Sequence, residues 1–198
     1  MAADYARLIA QLRSFYDFNA KAVLLVGAGG GQLLDPTAKP KKLIAIDHDR
    51  DALGQLERRV AAEGMQEFVD IVCAKFEEVT LPGDVVYFEF CLHEMDDPMK
   101  ALVHARTLAP DIVVFDHSPG SVWAFHAAEE EKVRRSSEAK ERFGIRRRET
   151  FRTEQTFRDY AEFLAKVSTQ GPGATERARE FAGAAAIAIP MDCHLALL

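Results

Sequence analysis

The chain has 198 residues, of which 48% are hydrophobic and 28% are charged. This composition excludes a disordered tail protein, a collagen-like fibre and a small disulfide-stabilised domain, since a chain of this length can bury a core of its own. The formal net charge of −6 disfavours a dedicated binder of nucleic acid or of anionic membranes. We expect one domain over residues 1–198.

The cysteine usage and the apolar runs predict a cytoplasmic protein. Cys73, Cys91 and Cys193 are far apart and odd in number, which favours reduced thiols. The first residues carry an early acid and lack the apolar core of a signal peptide. The longest apolar run, over 181–191, is shorter than the ~20 residues that a membrane span needs.

Helical and strand patterns alternate through the first two thirds of the chain. Apolar residues at helical spacing predict an N-terminal helix within residues 1–20. A second helical pattern ends at Gly64, and a third begins with Asp97 as N-cap and Pro98 at the first helical position. Continuous aliphatic runs, typical of buried parallel strands, cover 22–26, 43–46, 68–72, 84–90 and 111–115. This alternation predicts an α/β fold with helices on both faces of a doubly wound, mostly parallel sheet.

The last third of the chain is less regular. Aromatic residues scattered through dense charge predict a helical insertion over 121–152, which we expect to cover the substrate side as a lid. Thr153 is expected to cap a following helix that includes Phe157. Residues 184–198 are interpreted as two short strands interrupted by Pro190.

A glycine-rich segment follows the first aliphatic run. Gly27, Gly29, Gly30 and Gly31 lack side chains, so their backbone can approach a ligand closely, and a helix after them would direct free N–H groups at it. The spacing fits G-x-G-x-G, whereas the dinucleotide fingerprint would require a glycine where Gln32 stands. A flexible turn without a ligand is the alternative.

Asp47 ends the second aliphatic run, where α/β sheets place ligands. Its carboxylate can accept hydrogen bonds from the two hydroxyls of a ribose. A helix N-cap or a solvated turn is the alternative role for this acid. Capping and surface roles explain the neighbouring His48 and Asp49 better.

In order and spacing, residues 23–31, 43–47 and 84–98 resemble the glycine loop, ribose acid and fourth-strand motifs of class I S-adenosylmethionine-dependent methyltransferases. The resemblance covers roughly residues 15–120. It implies a Rossmann-like, seven-stranded sheet whose antiparallel last strand is inserted beside the sixth. It also implies S-adenosyl-L-methionine as cofactor, with contacts from Gly27, Ala28, Gly29, Gly31, Asp47, His48, Lys75, Phe76, Glu77, Glu89 and Phe90.

Two positions depart from the family pattern. Leu25 stands where an acid usually precedes the first glycine, and Ala74 stands where an acid often binds the adenine amino group. Adenine recognition would then fall to the backbone of Lys75 and Phe76 or to Glu77. Two alternatives stay open, a non-catalytic methyltransferase-like scaffold and, disfavoured by the glycine spacing, an NAD(P)-dependent oxidoreductase.

The segment after the fourth aliphatic run supplies the candidate catalytic residues. We expect His93 to be the general base, because an imidazole titrates near neutral pH, and Glu94 to orient it. A packed or capping role for His93 is the alternative. Candidate substrate contacts are Tyr16, Cys91, His117 and Trp123.

A small-molecule acceptor with an O, N, S or C nucleophile is expected, since residues 89–92 lack the Pro-containing tetrad of DNA amino-methyltransferases. No metal site is predicted, because no pair of candidate ligands has the spacing of a recognised motif. We expect no nucleic-acid or membrane partner. The oligomeric state stays open, a homodimer included.

Overall fold

The computed structural model of the chain describes residues 2–29, 31 and 39–198. The strands of the described part are Ala2–Ala3 (β1), Ala22–Val26 (β2), Lys42–Asp47 (β3), Val69–Cys73 (β4), Val85–Glu89 (β5), Asp111–His117 (β6), Arg147–Phe157 (β7) and Ile187–Leu197 (β8). Its α-helices are Tyr5–Phe15 (α1), Arg50–Ala62 (α2), Pro98–Leu108 (α3), Val122–His126 (α4), Glu130–Phe143 (α5), Tyr160–Val167 (α6) and Pro172–Ala178 (α7).

The strands form one sheet in the order β1-β7-β8-β6-β5-β2-β3-β4. The central strands β4, β3, β2, β5 and β6 are parallel, and β8 runs antiparallel to both β6 and β7. Apart from the two-residue β1, which pairs with the end of β7, this is the predicted seven-stranded sheet with an antiparallel last strand. The predicted fold class is confirmed.

Alternate residues of each central strand face opposite sides of the sheet, and each side has its own core. Val23 and Leu25 of β2 pack in the core that includes α1 and α2. Leu24 and Val26 pack in the core that includes α3 and α5. Burial on both faces explains why these strands are continuous aliphatic runs.

The predicted helix boundaries follow local chemistry. Asp49 caps α2 by accepting hydrogen bonds from the N–H groups of Asp51 and Ala52, and Asp97 caps α3. At the other end of α2, Gly64 has a φ of +68°, and the N–H of Met65 donates to the carbonyl of Val60. This is the Schellman geometry that favours glycine after a helix.

Three predictions for the last third are wrong. The helical insertion over 121–152 ends earlier, because residues from 147 onward form β7, in which Thr153 and Phe157 lie; the next helix is capped by Asp159. Residues 187–197 form one continuous strand through Pro190. Pro190 pairs only with β7, since the stretch of β8 that pairs with β6 begins at Cys193. A missing N–H is tolerated at such an edge position.

Within the described ranges, none of the helices combines the length and the apolar character that crossing a membrane requires.

Gly54, inside α2, and Gly64, just after its end, provide a matched test of the helix boundary. An added Cβ on Gly54 would lie 3.8 Å from the nearest neighbour, a side-chain atom of Arg58, and one on Gly64 would meet no described atom within 4 Å. Gly54→Ala should therefore raise the free energy of unfolding by about 0.4–1 kcal/mol, since alanine favours a helix interior. Gly64→Ala should lower it by about 1–2 kcal/mol because of its positive φ. Urea unfolding followed by circular dichroism measures both, and effects of the same sign would contradict the assignment.

Candidate functional site

The carboxyl ends of β2, β3, β5 and β6 lie at one edge of the sheet, because these strands are parallel. Two cavities open there. The first, of about 490 Å³, lies against the ends of β2 and β3. The second, of about 750 Å³, lies toward α1 and α4. Both are lined by Gly27, His48, Glu89, Phe90 and Glu94, so they adjoin each other.

The glycine loop is folded back onto the end of β3. The N–H groups of Gly27 and Ala28 donate to the carbonyl of Ile46 at 3.0 and 3.2 Å. The N–H of Gly29 donates to Oδ2 of Asp47 at 2.9 Å, and the N–H of Asp49 donates to Oδ1 at 3.0 Å. A carboxylate accepts about four hydrogen bonds, so Asp47 retains capacity for a ligand.

Gly27 must be a glycine for two reasons. Its φ is +74°, and a Cβ there would lie 2.5 Å from Cβ and 2.6 Å from Sγ of Cys91. The thiol of Cys91 donates to the carbonyl of Val26 at 3.1 Å, and burial raises its pKa well above the usual value. Cys91, an expected substrate contact, supports the glycine loop with its thiol and lines the first cavity but not the second.

Most predicted cofactor residues line the first cavity: Gly27, Asp47, His48, Lys75, Phe76, Glu77, Glu89 and Phe90. The other three do not. Ala28 and Gly31 are buried within the loop, and Gly29 is bonded to Asp47. Gly30, Gln32 and the helix expected after the glycines lie outside the described residues.

The far end of the first cavity is formed by the turn after β4. Ala74, whose N–H donates to the carbonyl of Asp47 at 3.0 Å, lies there with Lys75, Phe76 and Glu77. The position that lacks the usual acid is therefore close to the other polar groups expected to replace it.

Glu89 and Phe90 form the wall between the two cavities. Phe90 has a φ of +48°, which is strained for a residue with a side chain. Its N–H donates to the carbonyl of Phe115 at 2.8 Å, and its ring packs on Phe115 and His117 at centroid distances of 4.6 and 5.0 Å. These contacts hold the strained wall in place, and Glu89 is 8% exposed beside it.

The second cavity contains four of the predicted catalytic or substrate residues, His93, Glu94, His117 and Trp123. Trp123 is also a packing residue, since it is 3% exposed and stacks on Phe157 at 6.1 Å. Sequence reasoning missed several further lining residues: Tyr5, Leu8, Asp49, Glu129, Gln155, Lys166, Thr169, Gln170 and Met191.

The expected substrate contact of Tyr16 is wrong. Its hydroxyl donates to Oδ2 of Asp111 at 2.6 Å, and Asp111 is the first residue of β6, at the opposite edge of the sheet. The start of α1 reaches the carboxyl edge instead, where Tyr5 lines the second cavity. The sequence could have indicated Tyr5 instead of Tyr16 only if it also revealed the direction in which α1 crosses the sheet.

His93, the expected general base, is bonded to a buried carboxylate. Its Nδ1 lies 2.5 Å from Oδ1 of Asp116, which is fully buried. Burial lowers the pKa of His93, but the charge of Asp116, the hydrogen bonds to Asp116 and Glu94 and the charge of Glu129 together outweigh this and raise the pKa to about 10. The shift favours the imidazolium, which has no free nitrogen to accept a proton.

Two glutamates face the other nitrogen of His93. Its Nε2 lies 3.4 Å from Oε1 of Glu94 and 3.7 Å from Oε2 of Glu129. The hydrogen bond to His93 lowers the pKa of Glu94, which also bonds Lys132, whereas burial raises the pKa of Glu129. Asp116, rather than Glu94, fixes the orientation of the imidazole.

Asp116 also connects this wall to α5. Its Oδ1 accepts the N–H of His117 at 2.9 Å, and its Oδ2 accepts the hydroxyl of Ser136 at 3.1 Å. Nζ of Lys140 lies 3.8 Å from Oδ2 and donates to Nε2 of His194 at 2.5 Å. Burial lowers the pKa of Lys140 to about 8.

Comparison with known proteins identifies the family. Residues 24–115, which contain the glycine loop, Asp47 and the wall between the cavities, match the family described as a methyltransferase domain. This segment, 92 of the 198 residues, is a class I methyltransferase domain. It is therefore an S-adenosylmethionine-dependent enzyme, and this assignment disfavours both the scaffold and the oxidoreductase alternatives. No curated protein has a sequence that matches this methyltransferase.

Solved structures share the fold over nearly the whole methyltransferase. A candidate methyltransferase from Bacillus halodurans is 18% identical, with 98% of this chain and 97% of that chain covered and a TM-score of 0.65. The YcgJ protein from Bacillus subtilis is 13% identical, with 97% and 96% covered and a TM-score of 0.68. A candidate RNA methyltransferase from Pyrococcus horikoshii is 16% identical, with 97% and 82% covered and a TM-score of 0.57. At these identities the likeness shows the fold alone.

The buried Lys140 predicts a specific pH dependence of stability. Its pKa is about 8 in the folded methyltransferase and about 10.4 in an unfolded chain. Between these values the unfolded chain binds more protons at this position, so this residue makes the free energy of unfolding rise with pH. Lys140→Met should lack that rise, whereas Lys100→Met, at an exposed position, should keep it. Denaturant unfolding over this pH range measures the difference, and a constant difference between wild type and Lys140→Met would contradict the prediction.

Proposed function

We propose that this methyltransferase methylates a small molecule at an O, N, S or C nucleophile. The observation that carries the proposal is the second cavity, which adjoins the first through Gly27, Glu89 and Phe90. We call the first the cofactor cavity and the second the acceptor cavity. A reaction between two bound molecules requires such adjoining sites.

The residues of the cofactor cavity fit the parts of S-adenosylmethionine. Asp47 offers carboxylate oxygens to the ribose hydroxyls at the end of β3. Glu89 offers a negative charge to the methionyl ammonium at the wall. The backbone of Lys75 and Phe76, or the carboxylate of Glu77, is available for the adenine. The bare loop at Gly27 lets the backbone approach the cofactor closely.

The protein contributes positioning to the reaction. S-adenosylmethionine, when bound, would supply a methyl group on a positively charged sulfur. The nucleophile of the acceptor would form a bond to the methyl carbon in line with the carbon–sulfur bond that breaks, and the cofactor would leave as neutral S-adenosylhomocysteine. Glu89 and Phe90 keep the acceptor beside the cofactor, and the packing of the Phe90 ring on Phe115 and His117 holds this wall in place. Such a reaction chiefly requires that the nucleophilic atom of the acceptor lie in line with the methyl carbon at about 3–3.5 Å.

The acceptor cavity suits a small molecule better than a nucleic acid. Its volume of about 750 Å³ lies within the usual range of about 300–1,000 Å³ for small-molecule sites. Its charged lining consists of Asp49, Glu89, Glu94, Glu129 and a single lysine among the described residues, together with the histidines. This excess of carboxylates would repel a phosphate backbone.

His93 and Glu94 are proposed to position the acceptor. Both line the acceptor cavity, and Asp116 fixes the ring of His93. Trp123 and the start of α5 close the same side, in the place expected for a lid. The proposed unit is a single domain in which the cofactor and the acceptor meet at one sheet edge.

Removal of the Asp47 carboxylate tests the cofactor assignment. Asp47→Ala should weaken binding of S-adenosylmethionine by about 1–3 kcal/mol, the usual scale for losing a charged hydrogen-bond partner. Isothermal titration calorimetry measures this change. Asp70→Ala, which removes an exposed acid paired with Lys42, is the matched control and should bind as the wild type does. Equal affinity in Asp47→Ala would show that the ribose is held elsewhere.

Filling the mouth of the acceptor cavity tests the acceptor assignment. Thr169 is exposed and lines this cavity but not the cofactor cavity. Thr169→Trp should raise the KM of the acceptor by about tenfold, or about 1.4 kcal/mol, without changing cofactor affinity. Thr107→Trp, at an exposed position of α3, should have no effect.

A labelling experiment identifies the acceptor. The enzyme is incubated with S-adenosylmethionine tritiated in its methyl group and with panels of phenols, amines, thiols and carboxylic acids, or with RNA and protein fractions, and the label in each product is measured. The proposal predicts label in a small-molecule product and a loss of that label in Thr169→Trp. Label confined to RNA or protein would contradict it.

A further inference from the structure

Three buried side chains from separate segments converge at one side of the acceptor cavity. His93 follows β5, His117 ends β6 and Glu129 precedes α5; their exposed fractions are 4, 5 and 4%. Each offers a nitrogen or oxygen atom, and these three atoms lie within 4.8 Å of one another. Two imidazoles and one carboxylate form a donor set that binds divalent transition metals.

The contact between His93 and Asp116 is also typical of a metal ligand. Its Nδ1 is bonded to the buried carboxylate of Asp116, which leaves Nε2 facing Glu129 at 3.7 Å and the more exposed Glu94 at 3.4 Å. Histidines that bind metals usually donate their other N–H to a carboxylate in this way. The contact fixes the ring before any ligand arrives.

His117 supplies an independent observation. Its Nδ1 is buried and has no hydrogen-bond partner among the described residues. A buried polar atom without a partner is rare in folded proteins and calls for an explanation such as an ion. The residue also lines the acceptor cavity.

We propose that His93, His117 and Glu129 bind a divalent first-row transition-metal ion such as Zn²⁺. Metal–ligand bonds of about 2.0–2.2 Å place tetrahedral ligand atoms about 3.4 Å apart. Nε2 of His93 and Oε2 of Glu129 are already 3.7 Å apart, so modest side-chain movements complete the site. The ion takes the place of the proton on Nε2 of His93.

The site would face the acceptor. All three ligands line the acceptor cavity, so the open coordination positions of the ion would point into it. A hydroxyl or carboxylate oxygen of the acceptor is the chemical class of ligand that these positions favour. This last step rests on the proposed function, whereas binding of the ion does not.

Metal binding is measured on the purified full chain without cofactor or acceptor. Equilibrium dialysis against Zn²⁺ and Co²⁺ should give one ion per chain, and bound Co²⁺ should show visible ligand-field absorption. Glu129→Gln and His117→Ala should each weaken binding by more than about tenfold, since loss of a ligand should cost at least as much as loss of a supporting contact. Glu131→Gln, at an exposed position of the same helix, is the matched control and should bind as the wild type does.

A second measurement tests the metal site even if one of these variants is unstable. Circular dichroism without metal shows which variants are folded, and Glu129→Gln preserves the shape of the side chain. Zn²⁺ should raise the melting temperature of the wild type and of Glu131→Gln but not that of Glu129→Gln. Equal uptake by wild type, Glu129→Gln and His117→Ala, or no uptake by the wild type, would overturn the metal site. Neither result would affect methyl transfer to a small molecule, which the labelling experiment tests separately.

Discussion

The close approach of Gly27 to Cys91 determines the shape of the carboxyl edge of the sheet. These residues follow the adjacent parallel strands β2 and β5, and no side chain can fit on Gly27 between them. The glycine loop therefore turns toward the end of β3, where Gly29 bonds Asp47. The segment after β5 turns the other way and becomes the wall of both cavities. The shapes of the two cavities thus both depend on this one contact.

Asp116 stabilises the acceptor side of the same edge. It is fully buried, and a buried carboxylate is costly unless it is paired and hydrogen-bonded. Its partners are the His93 ring, the backbone of His117, the Ser136 hydroxyl and the Lys140 ammonium. Because these groups belong to β6, α5 and the segment after β5, one charge aligns three elements around the cavity.

The sequence predicted the central sheet well, together with the place of the glycines and Asp47 at its carboxyl edge, because these signals are local. A strand buried on both faces must be a continuous aliphatic run, and the glycines and Asp47 follow such runs directly. The outer strand β7 carries no such run, since charged residues such as Arg148 and Glu154 alternate with half-buried ones along it. Its charged composition resembles that of the preceding helix α5. Only the pairing with β8 decides that this segment is a strand and not a helix.

The lining of the acceptor cavity depends on contacts between residues far apart in the sequence, and a single sequence carries no local pattern that predicts them. Glu129 begins a run of three glutamates, of which only the first is buried, and the path of the chain into α5 selects it. Tyr5 and Tyr16 both belong to the aromatic pattern of the first helical segment. The direction of α1 brings the first to the cavity and the second to the opposite edge. The three proposed metal ligands have no motif spacing, because each comes from a different segment.

The most direct test of this account is an NMR titration of ¹⁵N-labelled protein with S-adenosylhomocysteine, the product form of the cofactor. The account predicts that the amide signals of Gly27, Gly29, Asp47 and Phe90 shift together, while those of Tyr16 and Asp111 at the opposite edge remain unchanged. Shifts concentrated at the opposite edge, or unchanged signals at the glycine loop under saturating ligand, would contradict it.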